Sequence, residues 1–314
     1  MSGAVRLRVP GSTSNLGAGF DCVGIAIDRW LTLTARLQPG ADGPLRITRR
    51  GTLANLALSD EDDLLSRGFA AACRAAGTQQ VPRGIVDAAS DIPIGRGLGS
   101  SGAAVVAGAL AARALLRLRL DDEALLGLCA ELEGHADNVA PAIYGEAVLA
   151  VRGSDGRLTV AALEVHRAIV LVFAVPEFAV VTERARAALP QVVSHATAQT
   201  AAARAAALVA GLAAADPALL GAGLDDVLHV PYRRALVPGY DAVSAAARAA
   251  GAFGATLSGS GSAILALAPV RAADAVAGAM ARAWHGAGVS ADVFQVSRPA
   301  GRAEMIPLPQ EATA

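Results

Sequence analysis

A glycine-rich segment at residues 91–104, DIPIGRGLGSSGAA, is the part of this sequence best suited to bind a phosphate chain. A predicted strand precedes it, and a predicted helix begins at Ser100 or Ser101. Several backbone N–H groups and the positive end of the helix dipole can therefore point at one spot, which favours a polyphosphate. A serine hydroxyl at the same place can reach a metal ion bound to the phosphates. The same residues would also suit a tight turn without a ligand, so the loop alone leaves both interpretations open.

The glycine spacing also fits two other kinds of enzyme less well. Gly97, Gly99 and Gly102 spell GxGxxG, the pattern of a dinucleotide-binding loop. That pattern requires a strand that ends in an acidic residue about 20 residues further on. Asp121 and Asp122 occupy that position, but they begin another predicted helix. No serine lies in a GxSxG motif, so a serine hydrolase of that type is not indicated.

Two carboxylates follow the next predicted helix, in the segment EGHADN at residues 133–138. Glu133 closes that helix and Gly134 breaks it, so the side chains of Glu133 and Asp137 can turn into one pocket. His135 lies between them, but the chain has only 5 His and no second one nearby. Zinc is therefore not indicated, and a hydrogen-bonding role for His135 beside Asp137 is the preferred interpretation.

The charge balance and the composition exclude several classes of protein. The formal net charge is -1, from 27 basic and 28 acidic residues without a long run of either sign. Nucleic acids and anionic membrane surfaces therefore gain no broad electrostatic attraction. All of these basic residues are arginines. A chain without lysine cannot form a Schiff base, hold pyridoxal phosphate covalently or supply the lysine of a Walker-type phosphate loop.

The cysteines and the apolar stretches predict a reduced, cytoplasmic protein. Cys22, Cys73 and Cys129 are far apart and have no CxxC spacing, so neither a disulfide framework nor a thiolate zinc site is indicated. The amino terminus lacks the apolar core of a signal peptide. The two most apolar stretches, 103–120 and 205–224, are rich in alanine and carry charged residues or a proline. Neither is therefore predicted to span a membrane.

Periodicity and turn residues predict an α+β framework that positions these motifs. A first strand over 5–9 is expected to end at Pro10, followed by a small-residue loop over 11–21. Further strands are predicted over 28–37, 84–90, 146–151, 158–162, 168–175 and 292–296, with a strand-turn-strand over 254–267. Helices are predicted over 60–76, 100–118, 121–133, 182–189, 195–214, 240–250 and 272–284. The length of 314 residues favours two domains, 1–165 and 166–314.

Three segments together resemble the motifs of the GHMP kinase superfamily. They are VPGSTSNLGAGFD at 9–21, the glycine-rich loop, and GATLSGSGSAILAL at 254–267, in the family's order. Four further features are similar to the homoserine kinases within that superfamily: the TSNLGxGFD form of the first motif, EGHADNVAPAIYG, VTERARAALP and HVPYRRALVPGY. The match spans nearly the whole chain. Gly11 and Glu146 depart from the residues usual in the family, at positions without an assigned chemical role.

The resemblance implies a two-domain fold and a reaction. The amino-terminal domain is expected to bind ATP and to be ribosomal-protein-S5-like, with a left-handed βαβ unit. The carboxyl-terminal domain is expected to be ferredoxin-like. The implied reaction transfers a phosphoryl group from ATP to the hydroxyl of L-homoserine, with Mg²⁺ and without a covalent intermediate, in the synthesis of threonine. A homodimer is implied as well.

The resemblance also assigns roles to individual residues. ATP is expected to bind Pro93, Ile94, Gly95, Arg96, Gly97, Leu98, Gly99, Ser100, Ser101 and Gly102. Glu133 and a serine hydroxyl, of Ser101 or Ser100, are expected to hold Mg²⁺. The substrate is expected to meet Asn15, Asp21, His135, Asp137, Asn138, Thr182, Arg186, Arg233, Gly259 and Gly261. The catalytic set is Ser101, Glu133, Asp137 and Arg186, with Asp137 as either a substrate clamp or a base. The neighbours Glu131, Arg184 and Arg234 are the lower-ranked alternatives.

Three other functions stay open at this point. A GHMP-type kinase could act on a different small alcohol. The GxGxxG spacing leaves an NAD-binding oxidoreductase as a weaker alternative. A superfamily member without catalytic activity could serve as a regulatory binding protein, which would bind a ligand without turning it over.

Overall fold

The computed structural model describes residues 3–78 and 80–308. The strands are β1 (Val5–Asn15), β2 (Gly19–Asp42), β3 (Arg46–Gly51), β4 (Pro82–Ser90), β5 (Ala147–Arg152), β6 (Leu158–Leu163), β7 (Ile169–Pro176), β8 (Gly254–Leu257), β9 (Ile264–Pro269), β10 (Ala291–Val296) and β11 (Glu304–Met305). The helices are α1 (Leu64–Ala75), α2 (Ser100–Leu116), α3 (Asp122–Glu133), α4 (Val139–Tyr144), α5 (Thr182–Ala187), α6 (His195–Ala214), α7 (Pro217–Leu224), α8 (Val230–Arg233), α9 (Tyr240–Ala249) and α10 (Ala273–Gly286). Within these residues no helix has the length and apolar character to cross a membrane.

The first sheet has seven strands and carries the glycine-rich loop. Its order is β11-β1-β2-β4-β3, and β5 and β6 extend it from β2. The strands β3 and β4 are parallel and α1 connects them, which forms a βαβ unit. The loop leaves β4 and enters α2, whose small side chains are buried against α1 and the sheet. The many alanines and glycines of α2 allow this close approach, because they add little bulk between the packed backbones.

The second sheet has four antiparallel strands in the order β10-β7-β9-β8. In chain order, β7, α9, β8, β9, α10 and β10 form the βαββαβ arrangement of a ferredoxin-like fold. Every residue of β7 is buried, as its continuous apolar sequence predicts. Val170, Val172 and Ala174 enter a core with α9 and α10, whereas Leu171 and Phe173 enter the core that contains the first sheet.

The first motif is largely strand, where the sequence predicts a loop. Strand β1 passes through Pro10 and continues to Asn15, and only Leu16–Ala18 turn before β2 begins. The prediction that Pro10 ends the strand is wrong because the pairing with β2 shifts register between Pro10 and Gly11. A proline is tolerated at such an irregularity, since the missing N–H breaks no regular ladder bond there.

Several boundaries and short elements also differ from the predictions. The first helix begins at Leu64, not at residue 60, because the Asp63 carboxylate accepts the Ser66 N–H and caps it. The elements β3, α4, α7, α8 and β11 are absent from the sequence-based prediction. Strand β11 pairs with β1, so the last strand joins the first sheet and not the second. The domain limits 1–165 and 166–314 stay a prediction.

Candidate functional site

The three motifs meet through hydrogen bonds between their backbones and short side chains. The N–H of Gly259, in the β8–β9 turn, donates to the carbonyl oxygen of Ser14 in β1 at 3.0 Å. The hydroxyl of Ser258 donates to the carbonyl oxygen of Gly97 at 2.6 Å. The N–H of Ser12 donates to the carbonyl oxygen of Leu98 at 3.1 Å. Motifs that are far apart in sequence thus form the walls of one site.

The glycine-rich loop requires glycine for both conformation and space. Gly95, Gly97 and Gly99 all have a left-handed backbone, with φ of 65°, 74° and 69°. A Cβ at Gly97 would lie 2.0 Å from the carbonyl oxygen of Ser258, and one at Gly99 would lie 2.1 Å from Oγ of Ser12. The loop therefore presents backbone to the ligand at the start of the 17-residue helix α2, which is the arrangement that binds phosphates.

One cavity collects most of the residues predicted for the site. Those that line it are Asn15, Asp21, Gly95, Gly97, Leu98, Gly99, Ser100, Ser101, His135, Asp137, Asn138, Thr182, Arg186, Arg233 and Gly259. Ser14 and Ser260 line it as well and were not predicted. The predicted residues outside this lining are Pro93, Ile94, Arg96, Gly102, Glu133 and Gly261.

Arg96 and Gly102 have structural contacts instead of a place in the cavity. The Arg96 guanidinium donates to the carbonyl oxygens of Pro176 and Ile94, each at 3.0 Å, and to that of Glu177. These bonds join the glycine-rich loop to the end of β7. A Cβ at Gly102 would lie 3.2 Å from Cβ of Asn138, so this glycine lets α2 pack closely against the loop between α3 and α4.

Glu133 and Ser101 form the candidate metal site. The Ser101 hydroxyl donates to Oε2 of Glu133 at 2.8 Å, which joins the start of α2 to the end of α3. Burial raises the pKa of Glu133, an effect that the Ser101 hydrogen bond opposes. Gly134 ends α3 in a left-handed conformation. Glu131, two residues before Glu133, is exposed. A partly buried carboxylate beside a hydroxyl fits Mg²⁺, which needs only one or two protein oxygens when phosphates supply others.

Asp137 is the centre of a buried polar network. It is 1% exposed, and its Oδ1 lies 2.6 Å from Nδ1 of His135 and 3.3 Å from Nδ2 of Asn138. Burial alone would lower the pKa of His135, but the hydrogen bond and charge of Asp137 raise it above its usual value. Asn138 also accepts from the Ser12 hydroxyl at 2.8 Å and donates to the Ser14 hydroxyl at 3.0 Å. The hydroxyls of Ser12 and Ser14, which belong to the first motif, therefore hold Asn138 in place.

Asp21 and Arg186 form a bidentate ion pair across the cavity. The two guanidinium nitrogens of Arg186 lie 3.1 and 3.0 Å from the two carboxylate oxygens of Asp21. The Asn15 amide positions this carboxylate, because its oxygen accepts the Asp21 N–H at 2.9 Å and its nitrogen donates to the Gly259 carbonyl at 2.8 Å. Parallel paired hydrogen bonds of this kind give a fixed orientation to both charges.

Arg233 is a buried cation without a carboxylate within 4 Å in the described residues. It is 2% exposed. Its Nε donates to the carbonyl oxygen of Ala185 at 3.2 Å, its Nη1 lies 3.3 Å from Nδ1 of His229, and its guanidinium stands over the Phe20 ring at 5.1 Å. Burial lowers its pKa, as does the nearby charge of Arg186. A buried guanidinium that faces a cavity is a strong site for an anionic group.

A second, apolar cavity adjoins the glycine-rich loop. It shares Gly95, Ser100, Ser101 and Thr182 with the first cavity. Its other lining residues include Leu31, Arg49, Leu53, Leu56, Leu58, Asp62, Leu65 and Ile94. The sequence analysis did not predict this cavity. The leucines at 53, 56 and 58 were a possible sequence signal for it. They lie in a segment without a predicted helix or strand, so no predicted core accounted for them.

The comparisons with known proteins agree with this geometry. Residues 63–146 match the family model described as GHMP kinases N terminal domain, and residues 208–286 match the one described as GHMP kinases C terminal. The fold and the three-motif site thus define a GHMP kinase. Homoserine kinases of Synechococcus sp. and Trichormus variabilis are 42% and 41% identical, over 91% and 92% of this chain and 92% and 95% of theirs. The crystal structure of homoserine kinase from Cytophaga hutchinsonii superposes with a TM-score of 0.86 at 32% identity, covering 98% of each chain. This chain belongs to the homoserine kinase family.

Proposed function

We propose that this chain transfers the γ-phosphoryl group of ATP to the side-chain hydroxyl of L-homoserine. The hydroxyl oxygen bonds to the γ-phosphorus, the bond from that phosphorus to the bridging oxygen breaks, and the hydroxyl proton is released. The products are O-phospho-L-homoserine and ADP, and the phosphorylated product serves the synthesis of threonine. The observation that carries the proposal is the buried Arg233, which faces the same cavity as a phosphate-binding loop and has no carboxylate partner in the described residues.

The two adjoining cavities suit the two ends of ATP. The glycine-rich loop can present backbone N–H groups to the phosphates, and the apolar cavity beside Ser100 and Ser101 has a leucine lining that suits a nucleoside base. Ile94 lines that second cavity, which supports its predicted role in nucleotide binding. Thr182 borders both cavities and is therefore placed near the point where nucleotide and substrate meet.

Glu133 and Ser101 would hold Mg²⁺ when the nucleotide binds. The ion neutralises charge on the phosphates and so assists phosphoryl transfer. Glu133 supplies a carboxylate that its surroundings keep partly desolvated, and Ser101 supplies a hydroxyl at the helix start. Ser100 lines the same cavity and is the alternative hydroxyl.

The other side of the cavity suits an amino acid. Carboxylates at Asp137 and Asp21 can attract the substrate ammonium, while Arg233 can bind its carboxylate through charged hydrogen bonds. Arg186 pairs with Asp21 and lines the same cavity as Ser100 and Ser101, so it can stabilise negative charge on the transferred group. Because phosphoryl transfer proceeds through a loose transition state, we favour Asp137 as a clamp for the substrate over Asp137 as a base.

A coupled assay of ADP release tests the proposed substrate. The candidates are L-homoserine, serine, threonine, mevalonate, shikimate and sugars, at matched concentrations with Mg²⁺-ATP. The proposal expects the highest kcat/KM for L-homoserine. A higher value for another alcohol would keep the kinase and reject the substrate, and protection against heating by NAD but not by ATP would favour an oxidoreductase.

Two further features belong to the proposal. We expect a homodimer, because the resembled family suggests one, and the mass in solution measured by light scattering tests it. We also expect a cytoplasmic location, which fits the absence of membrane-spanning helices among residues 3–78 and 80–308. Cell fractionation tests that location.

A further inference from the structure

His229 lies fully buried immediately before α8, between the turn that follows β1 and the guanidinium of Arg233. Its Nε2 is 3.1 Å from the carbonyl oxygen of Gly17, and its Nδ1 is 3.3 Å from Nη1 of Arg233. Its ring stacks on Phe20 with centroids 4.9 Å apart. One imidazole therefore contacts the first motif on one side and the candidate carboxylate-binding arginine on the other.

The two polar partners of His229 determine its protonation state. A carbonyl oxygen only accepts, so Nε2 must carry the hydrogen that reaches Gly17. An arginine nitrogen only donates, so Nδ1 must offer its lone pair to Arg233. Burial also lowers the pKa of His229 to about 4. The ring is therefore neutral near pH 7, and it accepts from the arginine without repelling it.

The backbone that carries His229 is fixed by Asp226. The carboxylate of Asp226 accepts the N–H of His229 at 2.6 Å, that of Val230 at 2.7 Å and that of Leu228 at 3.0 Å. Asp226 itself is 6% exposed. These bonds fix the backbone at His229, while the ring itself is oriented by the stacking on Phe20 and by its contacts with Gly17 and Arg233.

We propose that His229 is a positioning residue for the substrate carboxylate. As a neutral acceptor it uses one N–H of Arg233, and the carbonyl of Ala185 uses a second. A guanidinium has five N–H groups, so within the described part of the chain three stay available for a ligand in the cavity that Arg233 lines. The acceptor at Nδ1 thus determines which N–H groups face the ligand. This inference rests on the proposed function, in which Arg233 binds the carboxylate of L-homoserine.

Two variants separate the contacts of His229. In His229→Gln the side-chain nitrogen can still donate to the Gly17 carbonyl, but the acceptor at the Nδ1 position is lost. In His229→Asn the side-chain oxygen replaces Nδ1 as acceptor for Arg233, and the bond to Gly17 is lost. His285→Gln, at an exposed site on α10, is the matched control. Each variant is assayed with L-homoserine and with 3-aminopropan-1-ol, which is homoserine without its carboxylate.

The wild type should prefer L-homoserine over the amino alcohol by roughly tenfold to a hundredfold in kcat/KM, as expected for a charged hydrogen bond. His229→Gln should lose about tenfold of this preference through a higher KM for homoserine, with the KM for ATP unchanged. His229→Asn and His285→Gln should keep the preference. When Arg233→Leu is already present, His229→Gln should cause no further loss of preference, since both changes remove the same interaction.

The results distinguish this inference from the proposed function. A wild type that prefers homoserine, with His229→Gln preferring it equally, overturns the role of His229 alone. An equal loss on both substrates in His229→Gln does so too, because it indicates a general structural defect. If His229→Gln does not fold, His229→Asn decides. A folded His229→Asn that keeps the preference for L-homoserine supports the inference, and one that has lost this preference overturns it. A wild type that uses both substrates equally rejects the proposed substrate and this inference with it.

Discussion

The phosphate end and the substrate end of the candidate site are built from different parts of the polypeptide. At the phosphate end, left-handed glycines present backbone groups, and neighbouring segments leave no room for a Cβ at Gly97 or Gly99. At the substrate end, charged side chains such as Asp137, Arg186 and Arg233 form the walls. Space therefore limits what can change at the first end, whereas charge and its partners limit what can change at the second. The variants below test that contrast.

Gly99→Val should cause the largest loss, because the added atoms would collide with Ser12 and the left-handed backbone would be strained. We expect ATP binding to fall below detection by isothermal calorimetry. The control is Gly127→Val on α3, where a Cβ meets no atom within 4 Å. Near-normal ATP affinity in Gly99→Val would mean that the loop only packs a helix against a strand.

Glu133→Gln should lower kcat by roughly 10²- to 10³-fold, the usual effect of losing one electrostatic contact to a transition state. It removes the charge that would hold Mg²⁺, while a glutamine oxygen can still accept from Ser101. Ser101→Ala should lower kcat less, and the exposed Glu131→Gln should lower it hardly at all. Steady-state assays across Mg²⁺ concentrations check this order. A larger loss of kcat in Glu131→Gln than in Glu133→Gln would reverse the assignment.

Arg233→Leu should remove the preference for L-homoserine over 3-aminopropan-1-ol, a tenfold to hundredfold effect on kcat/KM. Arg186→Leu should instead weaken activity on both substrates, because Arg186 already pairs with Asp21 and is placed to serve the transferred group. The partly exposed Arg234→Leu is the control for its neighbour. Equal losses on both substrates in the two site variants would assign both arginines to the phosphoryl group.

The smallest effect should be the pH dependence of stability that His229 contributes at the substrate end. The pKa of His229 is lowered to about 4, so the unfolded chain binds a proton there between about pH 6.5 and 4 that the folded chain does not. Stability from this residue is therefore complete above pH 6.5 and is lost as the pH falls toward 4. The charges around the ring are those of Asp226, Arg233 and Asp21.

Melting curves should show this loss as a Tm that falls by a few degrees more on acidification in the wild type than in His229→Asn. Gly127→Val should follow the wild type. If both His229 variants lose stability with the same slope as the wild type, the ring is not held neutral in the folded protein.

The sequence predicted the local structure around the glycine-rich loop well because its signal is local. Glycines at 95, 97 and 99, a preceding strand and a following helix all lie within one segment, and the structure has α2 beginning at Ser100 as predicted. The helix cap at Asp121 and the buried strand β7 were equally local, and both are confirmed. The resemblance to a family then added residues that spacing alone left without a role.

Features that depend on distant contacts were missed or wrong. Pro10 could not reveal that a register shift would let β1 continue past it. The role of His229 depends on Gly17, which is 212 residues away in sequence, so no local pattern shows it. The apolar cavity around Leu53 and Leu58 forms only when that segment faces the glycine-rich loop. Such features need the packing of the whole chain.

Strand β7 belongs to two cores at once, with alternate residues on its two faces. Separation of either core would expose one whole face of β7 to water, and this would withdraw one wall from the other core as well. Loss of one core is therefore energetically coupled to loss of the other through β7. The molecule should then unfold in a single cooperative step, with calorimetric and van't Hoff enthalpies that agree.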